Sequence, residues 1–220
     1  MFCSLFSIEN TRTHVIEHGI DRPTCLIKPV SQYVLNIAYL GAFTVEKGAQ
    51  YFLALARKFA DSQEATRVNF HIIGELGYPI PGDINNHINI SVVGSYRPDE
   101  LNGLLSRGNI DLALFFPIWP ETYSYTLSES VMNGIPVIAS DIGALRERVS
   151  EKSLGLLVPF ENPVPYAKNI IEDFLKYPEL LEYFRQQCSA YVKDMPDVRE
   201  MGKQHGEIYT ASAALPIRSE

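Results

Sequence analysis

The chain has 220 residues, 46% of them hydrophobic and 20% charged, which is enough for one globular domain with a buried core. Its net charge is −7 and its 19 lysines and arginines are scattered, which excludes the concentrated basic face of a nucleic-acid reader. No apolar run has the length of a transmembrane helix, and the apolar start lacks the basic residues of a signal peptide.

Residues 1–32 show no hydrophobic period, and Pro23 and Pro29 interrupt any helix, which predicts a linker or N-terminal extension. From residue 33 onward, short aliphatic and β-branched runs alternate with amphipathic segments. In chain order, the predicted strands cover residues 34–40, 68–73, 88–93, 110–116, 136–139 and 154–158. The predicted helices cover residues 47–61, 99–107, 126–133, 143–149, 163–175, 178–193 and 197–211.

Near-continuous apolar strands that alternate with helices are typical of a parallel sheet covered on both faces. We therefore predict an α/β fold with a doubly wound, Rossmann-like parallel sheet. Residues 33–195 are expected to form this domain, and residues 196–220 a C-terminal helix and tail. Cys3, Cys25 and Cys188 are far apart and in no metal-ligand spacing, so we expect reduced thiols and a cytoplasmic location.

Three predicted strands end directly in glycine, at Gly41, Gly74 and Gly94. In doubly wound sheets ligands bind beyond the carboxyl ends of the strands, and glycine lets the backbone approach a ligand closely. Taken alone, each glycine is better explained as a residue that simply allows the chain to turn at the end of its strand. Three of them at one edge of a sheet favour a binding site there.

Two common nucleotide-binding motifs are absent from the sequence. No G-x-G-x-x-G follows the first strand, and no G-x-x-x-x-G-K-[ST] phosphate loop occurs. Residues 14–18 (HVIEH) match the H-x-x-E-H pattern of some zinc peptidases, but that pattern requires a helix. The β-branched Val15 and Ile16, followed by Gly19, favour a connecting segment, so no metal site is expected.

The most informative spacing lies between Glu121 and Glu129. Glu121 follows a predicted strand, and Glu129 lies inside the next helix, whose start near Ser124 would favour an anion such as a diphosphate. A carboxylate can accept both hydroxyl protons of a vicinal diol. Because eight helical residues span about 12 Å, the two glutamates suit opposite ends of a nucleotide sugar. From the spacing alone, Glu121 could equally be an acid that favours the start of the helix, and Glu129 an acid on its solvent-exposed face.

Residues 121–129 (ETYSYTLSE) resemble the E-x7-E motif of the group 1 family of retaining glycosyltransferases, which have a B-type fold of two Rossmann domains. The similarity covers about residues 14–160. Its other matching segments are a linker, a phosphate loop, the strand before the motif and the continuation after it: residues 15–21, 41–48, 111–117 and 133–144. The resemblance implies the C-terminal, donor-binding half of such an enzyme, with no cofactor and no metal.

By this resemblance, Glu121 holds hydroxyl groups of the donor sugar, and Lys47 neutralises the leaving diphosphate, so these two are the predicted catalytic residues. Glu129 holds the ribose. Backbone N–H groups that face the phosphates and sugar come from Tyr123, Ser124, Tyr125 and Thr126. Without the family, Lys47 is equally consistent with a surface lysine at a helix start.

The resemblance also assigns Gly41 to the phosphate loop, and Gly94 with Tyr96 to the border of the base, although an exposed loop tyrosine is equally plausible. Two positions depart from the family pattern. Ala42 stands where an arginine commonly supplies a second phosphate cation, and Ser124 stands where glycine is usual. The arginines considered as substitutes for the lost charge are Arg97, Arg146 and Arg148.

The sequence thus predicts a glycosyltransferase donor domain that binds a nucleoside-diphosphate sugar for retaining transfer to an unknown acceptor, as in polysaccharide biosynthesis. The family's N-terminal acceptor domain is missing from these 220 residues, so we expect little transfer by this chain alone. The full enzyme could lie peripherally at a membrane. Two alternatives remain, a nucleotide-sugar-binding module without catalysis and a Rossmann-fold sugar epimerase.

Overall fold

A computed structural model describes residues 14–20, 34–82 and 90–213. The described residues belong to two compact units, one of residues 34–82 and 90–193 and the other of residues 14–20 and 194–213. The predicted domain boundaries stay predictions. Parts of the N-terminal extension with Cys3 and Cys25, the start of the third predicted strand and the end of the tail lie outside the described residues: 1–13, 21–33, 88–89 and 214–220.

The larger unit contains a six-stranded sheet in the order β3-β2-β1-β4-β5-β6, and every neighbouring pair is parallel. The strands are β1 Leu35–Leu40, β2 Val68–Ile73, β3 Ile90–Gly94, β4 Leu112–Phe115, β5 Val137–Ser140 and β6 Gly155–Val158. Parallel neighbours need crossover connections, which here contain helices, apart from the segment between β2 and β3 that includes residues outside the described ones. The predicted doubly wound α/β fold is confirmed.

The helices follow the strands in the predicted order. They are α1 Ala49–Ala60, α2 Pro98–Arg107, α3 Tyr125–Met132, α4 Gly143–Lys152, α5 Pro163–Lys176, α6 Pro178–Asp194 and α7 Val198–Ala213. A short 3-10 turn at Ala65–Arg67 precedes β2. None of these helices has the length and apolar character needed to cross a membrane, and that finding covers the described residues alone.

Helix α1 packs on the sheet through one apolar face, because Phe52, Leu55, Ala56 and Phe59 recur at helical spacing. All four side chains are buried. The Phe52 ring meets Phe70 of β2 edge-on, with ring centroids 5.5 Å apart. This geometry is favourable for aromatic pairs, and it anchors α1 against β2, the strand that follows it in the chain.

The strand order reverses between β1 and β4, the two central strands. The chain leaves β1 towards β2 on one side and leaves β4 towards β5 on the other. The loops after these two strands therefore diverge and leave a crevice at the carboxyl edge of the sheet. This reversal is the topological switch point at which doubly wound folds bind ligands.

In the smaller unit, residues 14–20 form no regular secondary structure. The Ile20 N–H donates to the Pro196 carbonyl at 3.3 Å, and the Gly19 N–H donates to Met201 Sδ at 3.2 Å. The helix that the H-x-x-E-H pattern requires is therefore not formed at residues 14–18, which run as the predicted connecting segment.

Candidate functional site

The loop after β1 and the loop after β4 meet at the switch point. The Ile118 N–H donates to the Glu46 carbonyl at 3.0 Å, which joins the two loops directly. Gly48 ends the first loop with φ 84°, and a Cβ at this position would lie 2.0 Å from the Phe116 carbonyl oxygen. Only glycine fits this conformation and this close approach, so the backbone itself fixes where the first loop stops.

A buried tyrosine under the first loop holds its shape. The Tyr39 hydroxyl lies 2.8 Å from the Ala42 carbonyl oxygen and 3.2 Å from that of Lys47, close enough to donate to either. Burial, the largest cause, raises the pKa of Tyr39 well above its usual value, so the hydroxyl keeps its proton and stays a donor. The single hydroxyl proton can therefore tie either end of the Ala42–Lys47 segment to β1, one at a time, and the shorter contact is to Ala42.

Lys47 and Glu121 face each other across the two loops. Lys47 Nζ lies 2.5 Å from Glu121 Oε1. The Lys47 side chain is 45% exposed and that of Glu121 is 10% exposed, so the pair lies at the surface with its acid partly shielded. The structure therefore brings the two predicted catalytic residues into direct contact, at the point where the strand order reverses.

The three strand-end glycines lie side by side along the same edge. The Gly41 N–H donates to the Ile73 carbonyl and the Gly74 N–H to the Gly94 carbonyl, each at 2.9 Å. A Cβ at Gly74 would lie 1.8 Å from the Gly41 carbonyl oxygen, and one at Gly41 would lie 3.0 Å from Thr126 Cγ2 of α3. The glycines and the start of α3 thus form one continuous edge.

Helix α3 begins at Tyr125, directly after Ser124, whose backbone is left-handed with φ 68° and ψ 84°. The Ser124 side chain makes no capping hydrogen bond to the helix. The first N–H groups of a helix have no partner within the helix, and together with the helix dipole they favour an anion. The start of α3 lies next to Gly41, so this anion-favouring end belongs to the same edge.

Arg148 of α4 supports the loop before α3 from the other side. Its Nη1 donates to the carbonyl oxygens of Tyr123 and Ser124 at 2.8 and 3.0 Å, and its Nη2 donates to Ser128 Oγ at 2.7 Å. Its guanidinium carbon lies 4.1 Å from the centre of the Tyr123 ring. Arg148 thus binds the E-x7-E segment itself, through both terminal nitrogens of its guanidinium group.

Glu129 lies on α3 and is held by Tyr96, which comes from the segment after β3. The Tyr96 hydroxyl donates to Glu129 Oε2 at 3.0 Å. Burial raises the pKa of the Glu129 carboxyl above its ordinary value, although the Tyr96 hydrogen bond opposes the shift. The pKa of Tyr96 is raised as well, mainly by burial and then by the nearby Glu129 charge. Tyr96 is therefore half-buried against the glutamate and is not simply an exposed loop tyrosine.

Metal ligands do not gather anywhere in the described part of the chain, where no three histidine, cysteine, aspartate or glutamate side chains come together to hold an ion. The functional groups at the sheet edge include the Lys47 ammonium, the Glu121 and Glu129 carboxylates, the Tyr96 hydroxyl and the start of α3.

Comparison with known proteins identifies the family. The profile described as glycosyl transferases group 1 matches residues 35–173, which is more than half of the chain. The chain belongs to the group 1 glycosyl transferases. The predicted resemblance to this family is confirmed by this match.

Among curated proteins, the chain is 29% identical over 148 residues to an uncharacterized 41.2 kDa protein in the cps region of Klebsiella pneumoniae, covering 67% of this chain and 38% of that protein. It is 31% identical over 87 residues to the D-inositol 3-phosphate glycosyltransferase of Streptomyces bingchenggensis, covering 38% of this chain and 18% of the relative. The chain therefore spans less than half the length of these two curated relatives.

Among solved structures, HepE of Anabaena in complex with UDP and glucose superimposes with a TM-score of 0.67 at 16% identity. The match covers 81% of this chain and 49% of HepE. At this identity the likeness concerns the fold alone, and it agrees with the Rossmann-like sheet of this group 1 chain.

The departures from the group 1 pattern have distinct surroundings. Ala42 is exposed in the first loop, where it leaves Lys47 as the cation facing Glu121. Arg97 engages the side chain of Asp99, with Nε at 3.0 Å from Oδ1, and Arg146 Nε lies 2.5 Å from Asp141 Oδ1. These two arginines thus have acidic partners of their own.

Proposed function

We propose that this chain is the donor-binding domain of a retaining glycosyltransferase and binds a nucleoside-diphosphate sugar at the carboxyl edge of its sheet. The observation that carries the proposal is the Lys47–Glu121 contact across the switch point, with Nζ and Oε1 2.5 Å apart. A cation for phosphate and a carboxylate for hydroxyl groups, side by side at the edge of the sheet where α3 starts, suit the junction between a diphosphate and a sugar.

The proposed donor lies along this edge with its diphosphate at the start of α3 and beside Lys47. Its sugar hydroxyls bind Glu121, and its ribose diol binds Glu129. The strand-end glycines support this placement, because Gly41 presents bare backbone beside the start of α3, where a Cβ would lie 3.0 Å from Thr126 Cγ2. The Tyr96 hydroxyl, which donates to Glu129 at 3.0 Å, orients that carboxylate towards a diol.

The proposed chemical contribution of this domain is stabilisation of the departing diphosphate. Negative charge develops on that group as the bond to the sugar breaks, and fixed donors and cations aimed at it lower the barrier. Lys47 and the first N–H groups of α3 supply this charge stabilisation. To reach the phosphate, the ammonium must exchange part of its contact with Glu121, which then becomes available to the sugar hydroxyls.

The acceptor and its binding half are part of the same proposal. The chain spans 38% of the Klebsiella relative and 49% of HepE, so a second domain is proposed to close the cleft over the donor sugar. Proximity of acceptor and donor supplies much of the barrier reduction in transfer reactions. We therefore expect donor binding by the chain alone, with transfer requiring the other half.

One alternative is favoured by a specific observation. Ala42 removes the second phosphate cation that the family commonly has, which favours a nucleotide-sugar-binding module without catalysis. Activity with a separately supplied N-terminal half distinguishes this module from a transferase. A sugar epimerase, the other alternative, would release an epimerised nucleotide sugar, a product that mass spectrometry detects.

The central experiment is a calorimetric titration of the 220-residue chain with UDP, GDP, ADP and their common sugar derivatives. At 100 times the dissociation constant, a ligand stabilises the fold by about 2.7 kcal/mol, so a thermal-shift screen can select the nucleotide first. The proposal expects at least one nucleotide to bind and Lys47→Ala to weaken it. Absence of binding by every nucleotide in the screen contradicts the proposal.

A further inference from the structure

Arg148 carries an inference that rests on the proposed donor site. We infer that Arg148 is a positioning residue, which holds Ser124 in the left-handed conformation that aims the start of α3 at the donor. Arg148 touches no proposed ligand atom, and it makes four contacts with the backbone and side chains of the E-x7-E segment.

Ser124 occupies a conformation that its side chain disfavours. Its φ is 68° and its ψ 84°, and its side chain is buried, with 8% of the residue exposed. A Cβ makes the left-handed region unfavourable for any residue except glycine, and short polar residues enter it only when their surroundings impose it. The family's usual residue at this position is glycine, so here the surroundings must supply what glycine supplies by itself.

Arg148 supplies that constraint through one nitrogen atom. The φ angle of Ser124 turns the peptide that carries the Tyr123 carbonyl, and its ψ angle turns the peptide that carries the Ser124 carbonyl. Arg148 Nη1 donates to both carbonyl oxygens, at 2.8 and 3.0 Å. Both peptide planes that flank the Ser124 Cα are therefore held by the same guanidinium group.

The direction of the carbonyls also sets the direction of the amides. In a trans peptide the N–H points opposite to the C=O, and the described chain contains no cis peptide bond. Because the two carbonyls point at Arg148, the N–H groups of Ser124 and Tyr125 point away from it. That side is the one from which the proposed function brings the diphosphate and the sugar.

Two further contacts extend the support into α3. Arg148 Nη2 donates to Ser128 Oγ at 2.7 Å, and Ser128 is fully buried beside Glu129 in the chain. The guanidinium also stacks on the Tyr123 ring, with Cζ 4.1 Å from the ring centre. Such a fork of parallel donors on a planar group is specific to arginine, and lysine cannot reproduce it.

The test is a double-mutant cycle on the 220-residue chain with Arg148→Ala, Ser124→Gly and the double variant. The probe is UDP, with its dissociation constant measured by calorimetry, together with amide hydrogen exchange at residues 124–129 without nucleotide. Arg148→Ala should raise the dissociation constant about tenfold, the loss expected for one charge-assisted hydrogen bond, and should speed exchange at these amides. The matched control is Lys152→Ala, an exposed cation at the end of the same helix, which should change neither the affinity nor the exchange.

The decisive result is whether Ser124→Gly restores the affinity and the exchange protection that Arg148→Ala removes. Because glycine adopts φ 68° without strain, Arg148→Ala in the Ser124→Gly background should recover most of the affinity and most of the exchange protection. Equal losses in both backgrounds would overturn the inference, since Arg148 would then act independently of Ser124. So would unchanged exchange in Arg148→Ala.

Two further arms keep the test decisive. If Arg148→Ala does not fold, Arg148→Lys keeps the charge and the aliphatic stem but loses the fork, and it should show the same losses and the same rescue. If wild-type chain binds no nucleotide, the proposed function fails by itself. Exchange at residues 124–129 still reports whether Arg148 holds Ser124, because that measurement needs no ligand.

Discussion

Two ion pairs lie at opposite edges of the same sheet. At the amino edge, Arg185 Nη2 lies 2.7 Å from Asp111 Oδ1, and the two side chains are 2% and 6% exposed. At the carboxyl edge, Lys47 Nζ lies 2.5 Å from Glu121 Oε1, with exposures of 45% and 10%. Each pair joins residues 74 positions apart in the sequence.

The surroundings decide what each pair does. Asp111 precedes β4 and also accepts the Asn36 N–H of β1 at 3.0 Å, so its carboxylate is fastened to the strand backbone as well as to Arg185 on α6. Lys47 belongs to a loop and is open to solvent, so a ligand can reach its ammonium. The comparison teaches that close ion pairs stabilise the fold where both partners are buried, and can serve ligand binding where one partner stays exposed to solvent.

The largest expected effect comes from breaking the buried pair. Arg185→Met should lower the free energy of unfolding by about 3–5 kcal/mol, because it leaves the Asp111 charge buried without its cation. Urea unfolding followed by circular dichroism measures this change. The double variant Asp111→Asn/Arg185→Met should regain most of the loss, because it removes the unpaired buried charge while an amide oxygen can still accept the Asn36 N–H. If Arg185→Met lowered the free energy of unfolding by less than about 1 kcal/mol, the buried pair would not be an important stabiliser of the fold.

The next effect concerns binding. Glu129→Gln should weaken UDP binding by about 1.5–3 kcal/mol, the value of a charge-assisted hydrogen bond, because the amide accepts a diol less well than the carboxylate does. Calorimetric titration of both proteins gives the difference. Glu151→Gln, an exposed glutamate at the end of α4, is the matched control. Equal affinities for wild type and Glu129→Gln would make Glu129 only a helix-face acid.

Lys47→Ala tests the exposed pair directly. It should weaken UDP binding about tenfold, or 1.4 kcal/mol, while the free energy of unfolding changes by less than about 1 kcal/mol, as for other surface pairs. The affinity loss should shrink as salt concentration rises, because salt screens an exposed ammonium. Titrations at two ionic strengths, with unfolding curves for the same samples, check both parts. If Lys47→Ala lowered the free energy of unfolding as much as Arg185→Met does, the exposed pair would be structural like the buried one.

The smallest effect is a pH dependence at Glu129. Burial raises the pKa of this carboxyl in the folded state above its ordinary value of 4.5. The folded state therefore favours the protonated acid, so the stability that Glu129 contributes is full below pH 4.5 and is lost as pH rises through the raised pKa. At neutral pH, Glu129→Gln should thus have a higher Tm than wild type, by less than the roughly 2–4 °C that 1 kcal/mol gives at this size.

Thermal unfolding of both proteins between pH 5 and 8 measures this difference, which should grow with pH. A difference that is constant or falls over this range would mean that burial does not govern the Glu129 carboxyl. If Glu129→Gln both raises the Tm and weakens UDP binding, the carboxylate at this position serves ligand binding at a cost in stability.

Several site features were predictable because they depend on local signals. Glu121 follows a strand and Glu129 lies on the next helix, and both assignments agree with the structure. The predicted start of α1 at residue 47 differs from the observed start at Ala49. Gly48 causes this difference, because its φ of 84° and its contact with Phe116 end the loop there and leave Lys47 outside the helix. The family roles of these residues stay predictions until the binding experiments are done.

The partners of the site residues were not predictable. Tyr96 reaches Glu129 over 33 positions, and Arg148 reaches Ser124 over 24 positions. Neither contact leaves a periodic signal, because it depends on how α4 and the segment after β3 pack around α3. The signal that could have drawn attention to Arg148 was the serine at a position where the family usually has glycine, which calls for an external support of its backbone.

The sequence by itself determined the alternation of apolar strands and amphipathic helices, the glycine at three strand ends, and the ordered motifs that identify the family. These are local patterns, set by side-chain periodicity and by the steric freedom of glycine. Only the tertiary structure decided the order of the strands, and with it the edge position of β3, whose Val92 and Val93 are 43% exposed. It also decided which ion pair is buried and which is open, because burial depends on the elements that pack around a residue and leaves no trace in its sequence spacing.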